Sequence, residues 1–133
     1  MLIDNNLFED LTTKAKESPR LRYSYDLRNS DEDNSQRMLN ALEPGTVLEI
    51  HRHPTSSTTI VVLRGSIKHN IYDDAGMLKE SIILRADAKE LPIYEIPRNI
   101  WHNLECLETG TVIFESKYVK YIPETDAEFF ITK

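Results

Sequence analysis

This chain of 133 residues offers little for a covalent staple, a membrane span or a nucleic-acid grip. Its single cysteine, Cys106, excludes an intrachain disulfide and fits a reducing compartment, so the cytoplasm is the expected location. No stretch approaches the roughly 20 apolar residues that span a bilayer. The opening MLIDNNLFED lacks the basic start and apolar run of a secretory leader. Lys and Arg number 16 against 22 Asp and Glu, a formal net charge of −6 with no basic run, which argues against a nucleic-acid partner. No internal repeat or linker composition divides the sequence. A single domain over residues 1–133 is expected, and 40% hydrophobic residues suffice for its core.

What is present is a short helical pattern followed by many short strands. Asp4 is a candidate N-cap for a helix to about Ser18, with Leu7, Phe8, Leu11 and Ala15 at helical spacing and Pro19 as its stop. Residues 20–35 hold Arg20, Arg22, Tyr23 and Tyr25 and then a polar run, Ser30 to Ser35, that reads as a solvated loop. From Gln36 the strand candidates are Gln36–Leu42, Val47–His53, Thr59–Leu63, Ser66–Tyr72, Glu80–Leu84, Pro92–Ile96, Ile100–Cys106 and Thr111–Ser116. Turn signals such as Glu43-Pro44-Gly45, Asp73-Asp74-Ala75-Gly76 and Glu108-Thr109-Gly110 separate them. This punctuation predicts an all-β sandwich or small barrel over about 36–116, with a tail, 117–133, across one end.

The segment Gly45–Gly65 carries His51 and His53 at i and i+2. In a strand these positions face one side, roughly 7 Å apart, so two imidazoles can converge on one ion. His102 lies in a second apolar stretch and can meet them inside a barrel. Glu49 shares their parity, so it faces the same side of the strand.

The spacing Gly45-x5-His51-x-His53-x4-Thr58-x6-Gly65 resembles the first motif of the cupin superfamily, with Thr58 where a glutamate is usual. Pro97-x-Asn99-x2-His102-x3-Cys106 resembles the second, with its glycine and final asparagine replaced. Asparagine tolerates the left-handed turn that the glycine position needs. Ser18-Pro19-Arg20, Gln36 to Thr46, His51 to Pro54, Val61 to Gly65, Ile96-Pro97, Trp101-His102 and Phe114-Glu115 make the chain similar to the WbuC-type cupin-fold metalloproteins over about residues 2–123. The family usually has tryptophan and glutamate at Ser57 and Thr58. The resemblance implies a cupin double-stranded β-helix, a small antiparallel jelly-roll barrel with a short N-terminal helix. It also implies a homodimer, for which the strand 36–42 is a candidate pairing edge, and a setting in surface polysaccharide biosynthesis.

One divalent transition metal (Zn, Ni, Fe or Mn) is the expected cofactor, with His51, His53 and His102 as ligands. Without the glutamate the centre keeps about two positive charges, which favours Zn or Ni over a hard ion. Glu49 could add a ligand or orient an imidazole, or be a plain exposed residue; Thr58 could bind a metal-held water. Glu95 and Glu115 are further carboxylates near the motifs. Gln36, Arg37 and Asn40 are candidate substrate contacts, against the plainer reading of a solvated edge with an Arg–carboxylate pair. His69 shares parity with Ile67 and Ile71 and reads as a satisfied core histidine. Cys106 reads as a small buried apolar residue. Two functions follow: a metal-dependent enzyme acting on a carbohydrate or sugar-like metabolite, or a non-catalytic cupin that binds or senses a small molecule. A small-molecule ligand, with no membrane partner, is common to both.

Overall fold

Asp4 caps the helix as its position predicts: its Oδ1 accepts a hydrogen bond from Leu7 N at 3.2 Å, and α1 runs Asn5–Glu17. Phe8, Leu11 and Ala15 form the buried stripe, and Ser18 closes the helix by donating its N–H to Lys14 O and Ala15 O. The structure, a computed structural model, describes residues 1–87, 93–122 and 127–131. Ten strands follow: β1 (Arg22–Asp26), β2 (Ser35–Leu42), β3 (His51–Arg52), β4 (Thr58–Arg64), β5 (Ser66–Tyr72), β6 (Leu78–Arg85), β7 (Ile93–Ile96), β8 (Trp101–Cys106), β9 (Thr111–Tyr118) and β10 (Glu128–Phe129). They form two five-stranded sheets, ordered β1-β2-β9-β4-β7 and β10-β3-β8-β5-β6, with every pairing antiparallel. This is the expected jelly-roll barrel with its helix outside.

Strand alternation divides the core in two. On β2, Leu39 and Ala41 face α1 and join Phe8, Leu11, Ala15 and Val112 in one cluster. Leu42, Ile60, Val62, Ile67, Ile96, Leu104, Cys106 and Ile113 fill the space between the sheets. The period-2 rule therefore sends Met38, Asn40 and Leu42 inward, and across the β2–β9 pairing Met38 meets Glu115 and Asn40 meets Ile113.

Three expectations change. The predicted strand Val47–His53 is regular only at His51–Arg52. The carbonyls before it serve other donors: Val47 O takes Arg22 Nη1 (3.0 Å), Leu48 O takes Asn103 Nδ2 (3.2 Å), Glu49 O is bonded by His51 Nδ1 (2.8 Å), and Ile50 O takes Phe130 N (2.9 Å). A strand not assigned from the sequence precedes the polar loop, where β1 pairs with β2 from Arg22↔Leu42 to Asp26↔Met38. That pairing covers β2, so residues 36–42 are not an edge. Pro92, the expected start of β7, lies outside the described residues, as does part of the tail. The described tail supplies β10, which pairs with β3 and is clamped by Arg52, whose Nε and Nη2 both reach Glu128 Oε2 (2.9 and 2.7 Å). Arg52 also stacks 4.3 Å above the Trp101 ring.

Two turns have the backbone their residues predict. Asn99 sits at φ 67, the left-handed region that asparagine tolerates. Gly65, between β4 and β5, has φ +82, and a Cβ there would lie 2.8 Å from Thr111 Cα. Gly65→Ala should therefore cost about 2–4 kcal/mol through strain and collision with a buried strand. A urea titration checks this, and an unchanged midpoint would show that the β4–β5 turn can relax.

Candidate metal centre

The register of β3 against β8 sets His51 directly opposite His102. His53 follows one pleat later, and the ring centroids lie 4.3 Å (His51–His102), 5.1 Å (His51–His53) and 5.6 Å (His53–His102) apart. One nitrogen from each ring falls within 4.8 Å of the other two. Ligands on a tetrahedral zinc stand about 3.4 Å apart, so small ring rotations bring the set onto one ion.

Backbone carbonyls fix two of the rings. His51 Nδ1 donates to Glu49 O at 2.8 Å and His102 Nδ1 to Ile100 O at 2.9 Å. A carbonyl can only accept, so the proton sits on Nδ1 and the lone pair on Nε2, the tautomer a metal ligand needs. Burial, and secondarily the charge on His51, lowers the His102 pKa to about 3, which keeps its imidazole neutral. His53 differs, because its Nδ1 lies 3.3 Å from Lys117 Nζ. If Nδ1 is the ligand, the ammonium competes for its lone pair. If Nε2 is the ligand, Nδ1 must carry a proton that the ammonium opposes. Either way the Lys117 ammonium has to turn aside when His53 takes an ion. The donor set fits a divalent metal on these grounds.

The histidines open onto a cavity of about 220 Å³ between the sheets, whose wall includes Thr58, Ile60, Leu104 and Glu115. Thr58 is buried and shares the cavity with the triad, and its Oγ1 has no hydrogen-bond partner among the described residues. The three carboxylates separate clearly. Glu49 is exposed and borders only the outer mouth, where its backbone carbonyl, not its side chain, orients His51. Glu95 is exposed and accepts a hydrogen bond from Thr59 Oγ1 on the outside of the sheet. Glu115 lines the cavity itself.

Of the candidate substrate contacts, Asn40 lines the cavity and accepts a hydrogen bond from Ser24 Oγ. Gln36 shares its face but lies farther along β2, buried, with Nε2 donating to Val119 O at 2.8 Å. Arg37 points the other way and is engaged by Leu27 O and Asp33. His69 is in the core as expected, with its centroid 5.4 Å from His102 and 4.9 Å from Tyr94, but neither ring nitrogen has a hydrogen-bond partner among the described residues. It is not a satisfied histidine; burial, and then His51, pushes its pKa to about 4. Cys106 is buried, as expected, and burial raises its pKa. Arg22, Ser24 and Asn103 also line the cavity and were not singled out in the sequence as site residues. The alternation Arg22-Tyr23-Ser24-Tyr25 was the available signal.

Fold and site together define a cupin-fold protein with a three-histidine group able to hold a metal. Two solved structures it resembles, both cupin-fold, are the capsular polysaccharide assembling protein CapF from Staphylococcus aureus and oxalate decarboxylase from Bacillus subtilis. The first gives TM-score 0.68 and 21% identity, covering 86% of this chain and 33% of that one. The second gives 0.62 and 17%, covering 82% and 27%. This chain thus spans about a third or less of those proteins. No functionally curated protein matches it. Residues 3–84 match the family described as "Domain of unknown function (DUF6016)", and the chain belongs to that family.

Thr58→Glu should add an oxygen ligand and tighten Mn²⁺ or Fe²⁺ more than Zn²⁺, by tenfold or more. Glu49→Gln should leave metal affinity unchanged, given the exposed position of that carboxylate. Calorimetric titration of both variants checks the pair; weakened binding in Glu49→Gln would place its carboxylate on the ion instead.

Proposed function

We propose that this chain is a metal-dependent cupin of the WbuC type that acts on a carbohydrate or sugar-like metabolite in surface polysaccharide metabolism. The observation that carries this reading is the convergence of three imidazoles on one cavity, two of them held by backbone carbonyls in the metal-binding tautomer. His51, His53 and His102 would hold one divalent ion, with Zn or Ni favoured by an all-nitrogen donor set. Such an ion supplies Lewis acidity toward a carbonyl or hydroxyl oxygen. The chain's own groups do the rest. Glu115 offers a carboxylate in the same cavity as a proton acceptor, Thr58 and Asn40 offer hydrogen bonds, and apolar neighbours limit water. A cavity of about 220 Å³ suits a ligand no larger than about a monosaccharide, below the roughly 300–1,000 Å³ of drug-sized sites. The name of CapF, a capsular polysaccharide assembling protein, supports the polysaccharide setting.

The second reading is a binding or sensing cupin without turnover. Thr58 favours it, since the usual position for the motif glutamate holds a hydroxyl that cannot serve as a general base. Elemental analysis of purified protein, with turnover assays on sugars and nucleotide sugars, separates the two. The enzyme reading expects about one metal per chain and turnover abolished by His102→Ala. Full metal occupancy with no turnover would establish the binding reading, and a metal-free protein would remove both in their metal-dependent form.

A homodimer belongs to the same proposal. It now rests on analogy with cupins, because β1 covers the edge once assigned to it. Light scattering should give twice the chain mass, and a clean monomer at high concentration would refute it.

A further inference from the structure

The cavity's rim carries a charge feature that the metal reading leaves unused. Arg22 opens β1, and alternation turns it inward with Ser24, while Tyr25 packs toward α1. It borders both the inner cavity and the outer mouth, a cleft whose wall also holds Arg20, Glu49, His51, His53, Tyr121 and Phe129. Its Nη1 is anchored to Thr46 Oγ1 (3.2 Å) and Val47 O (3.0 Å), and Thr46 Oγ1 donates to Arg20 O at 2.7 Å. One buried threonine therefore anchors the Arg22 guanidinium and the backbone of Arg20. Arg28, Arg37, Arg52 and Arg64 each have a carboxylate within 3.4 Å. Among the described residues Arg20 and Arg22, like Arg85 and Arg98, have none at ion-pair distance, and of these four only Arg20 and Arg22 border the cavity or its mouth.

Two further observations mark the pair as more than surface charge. Burial lowers the Arg22 pKa, the Arg20 charge lowers it further, and Glu49 only partly opposes them. This is a cation short of compensating charge, in a protein whose formal net charge is −6. Leu21, between the arginines, is held at φ 56, left-handed backbone that a leucine adopts only under constraint. The constraint is visible: Leu21 N bonds Ser18 O, Leu21 O accepts Glu43 N, and its side chain packs against Gly45. Strain of this kind persists where surroundings enforce a particular presentation of neighbouring side chains.

We infer that the ligand of this cavity is an acidic sugar, a compact polyol bearing a carboxylate or a phosphate, whose oxyanion is received by Arg22 and Arg20 at the rim. The inference rests on the cavity being the binding site proposed above and adds the charge of its ligand. A guanidinium offers paired N–H donors to such an oxyanion. Tyr121 and Phe129 give the mouth the aromatic surface that a sugar face can pack against.

The test uses the full chain, metal-loaded and after chelator treatment, with glucuronate, glucose 6-phosphate and glucose as probes in calorimetric titrations. At least one anion should bind tenfold or more tighter than glucose, and which one does so assigns the oxyanion as carboxylate or phosphate. Raising the salt from 50 to 500 mM should weaken that anion several-fold and leave glucose unchanged. Arg22→Gln should erase the preference without changing metal content, and Arg22→Lys should keep part of it. Equal binding of all three probes, absence of binding by both anions, or an Arg22→Gln protein that still prefers the anion would each overturn the inference. A preference that persists in the metal-free protein supports it even if the metal reading fails.

Discussion

The pairing of His51 with His102 across β3 and β8 is the constraint from which the site follows. β3 is two residues long, and alone it could not hold two imidazoles in place. It is fixed because β8 binds one edge and β10 the other, with the Arg52–Glu128 pair clamping β10 and the Arg52 guanidinium stacked on Trp101. Arg52 lies between the two motif histidines and faces away from them, so the His-x-His pattern uses both faces of one short strand. One face carries ligands, and the other carries the clamp that keeps them aimed. The opposite sheet closes the cavity by the same alternation, sending Met38, Asn40 and Leu42 inward from β2 and Ile113 and Glu115 from β9.

Electrostatically the centre is built from imidazole ligands with cations around them. Burial keeps His102 unprotonated, and Lys117 sits beside His53. Arg22 stands at the rim, and Glu115 is the carboxylate in the cavity wall among the described residues. A divalent ion added to this set retains nearly its full charge, so any water or hydroxyl it holds becomes more acidic than at a carboxylate-ligated ion. Such a centre would attract anions, and the protein's overall negative charge would make that attraction local to the cavity.

Much of this was legible in the residues. Turn signals and β-branched runs located most strands, Asp4 and Pro19 bounded the helix, and the replacement of glycine by Asn99 correctly implied a left-handed turn. What could not be read was decided by long-range donors. The segment Val47–Ile50 has strand composition, yet its carbonyls are taken by Arg22, Asn103, the His51 ring and the Phe130 amide, so it leaves the ladder. That departure takes Glu49 out of the regular strand on which its parity with the histidines was counted, and leaves it exposed at the outer mouth. β1 is too short and too polar to stand out as a strand, and it is set by its pairing with β2. Gln36 was placed on the correct face, but parity alone does not say how far along a strand the cavity extends.

The position of Thr58 shows how the site can tolerate the lost glutamate. Thr58 and Ile60 face inward on β4, and Ile60 pairs with Glu115 on β9, so a carboxylate stands one pleat from the vacated ligand position on the neighbouring strand. It is not among the groups that converge within 4.8 Å, so it belongs to the cavity wall and not to the three-histidine cluster. On the proposed function, a carboxylate in the cavity wall instead of on the ion would leave the metal's charge in place and would serve the substrate as a proton acceptor. That would be a different chemistry from nearly the same barrel, so the replacement of a motif residue need not mark a dead site.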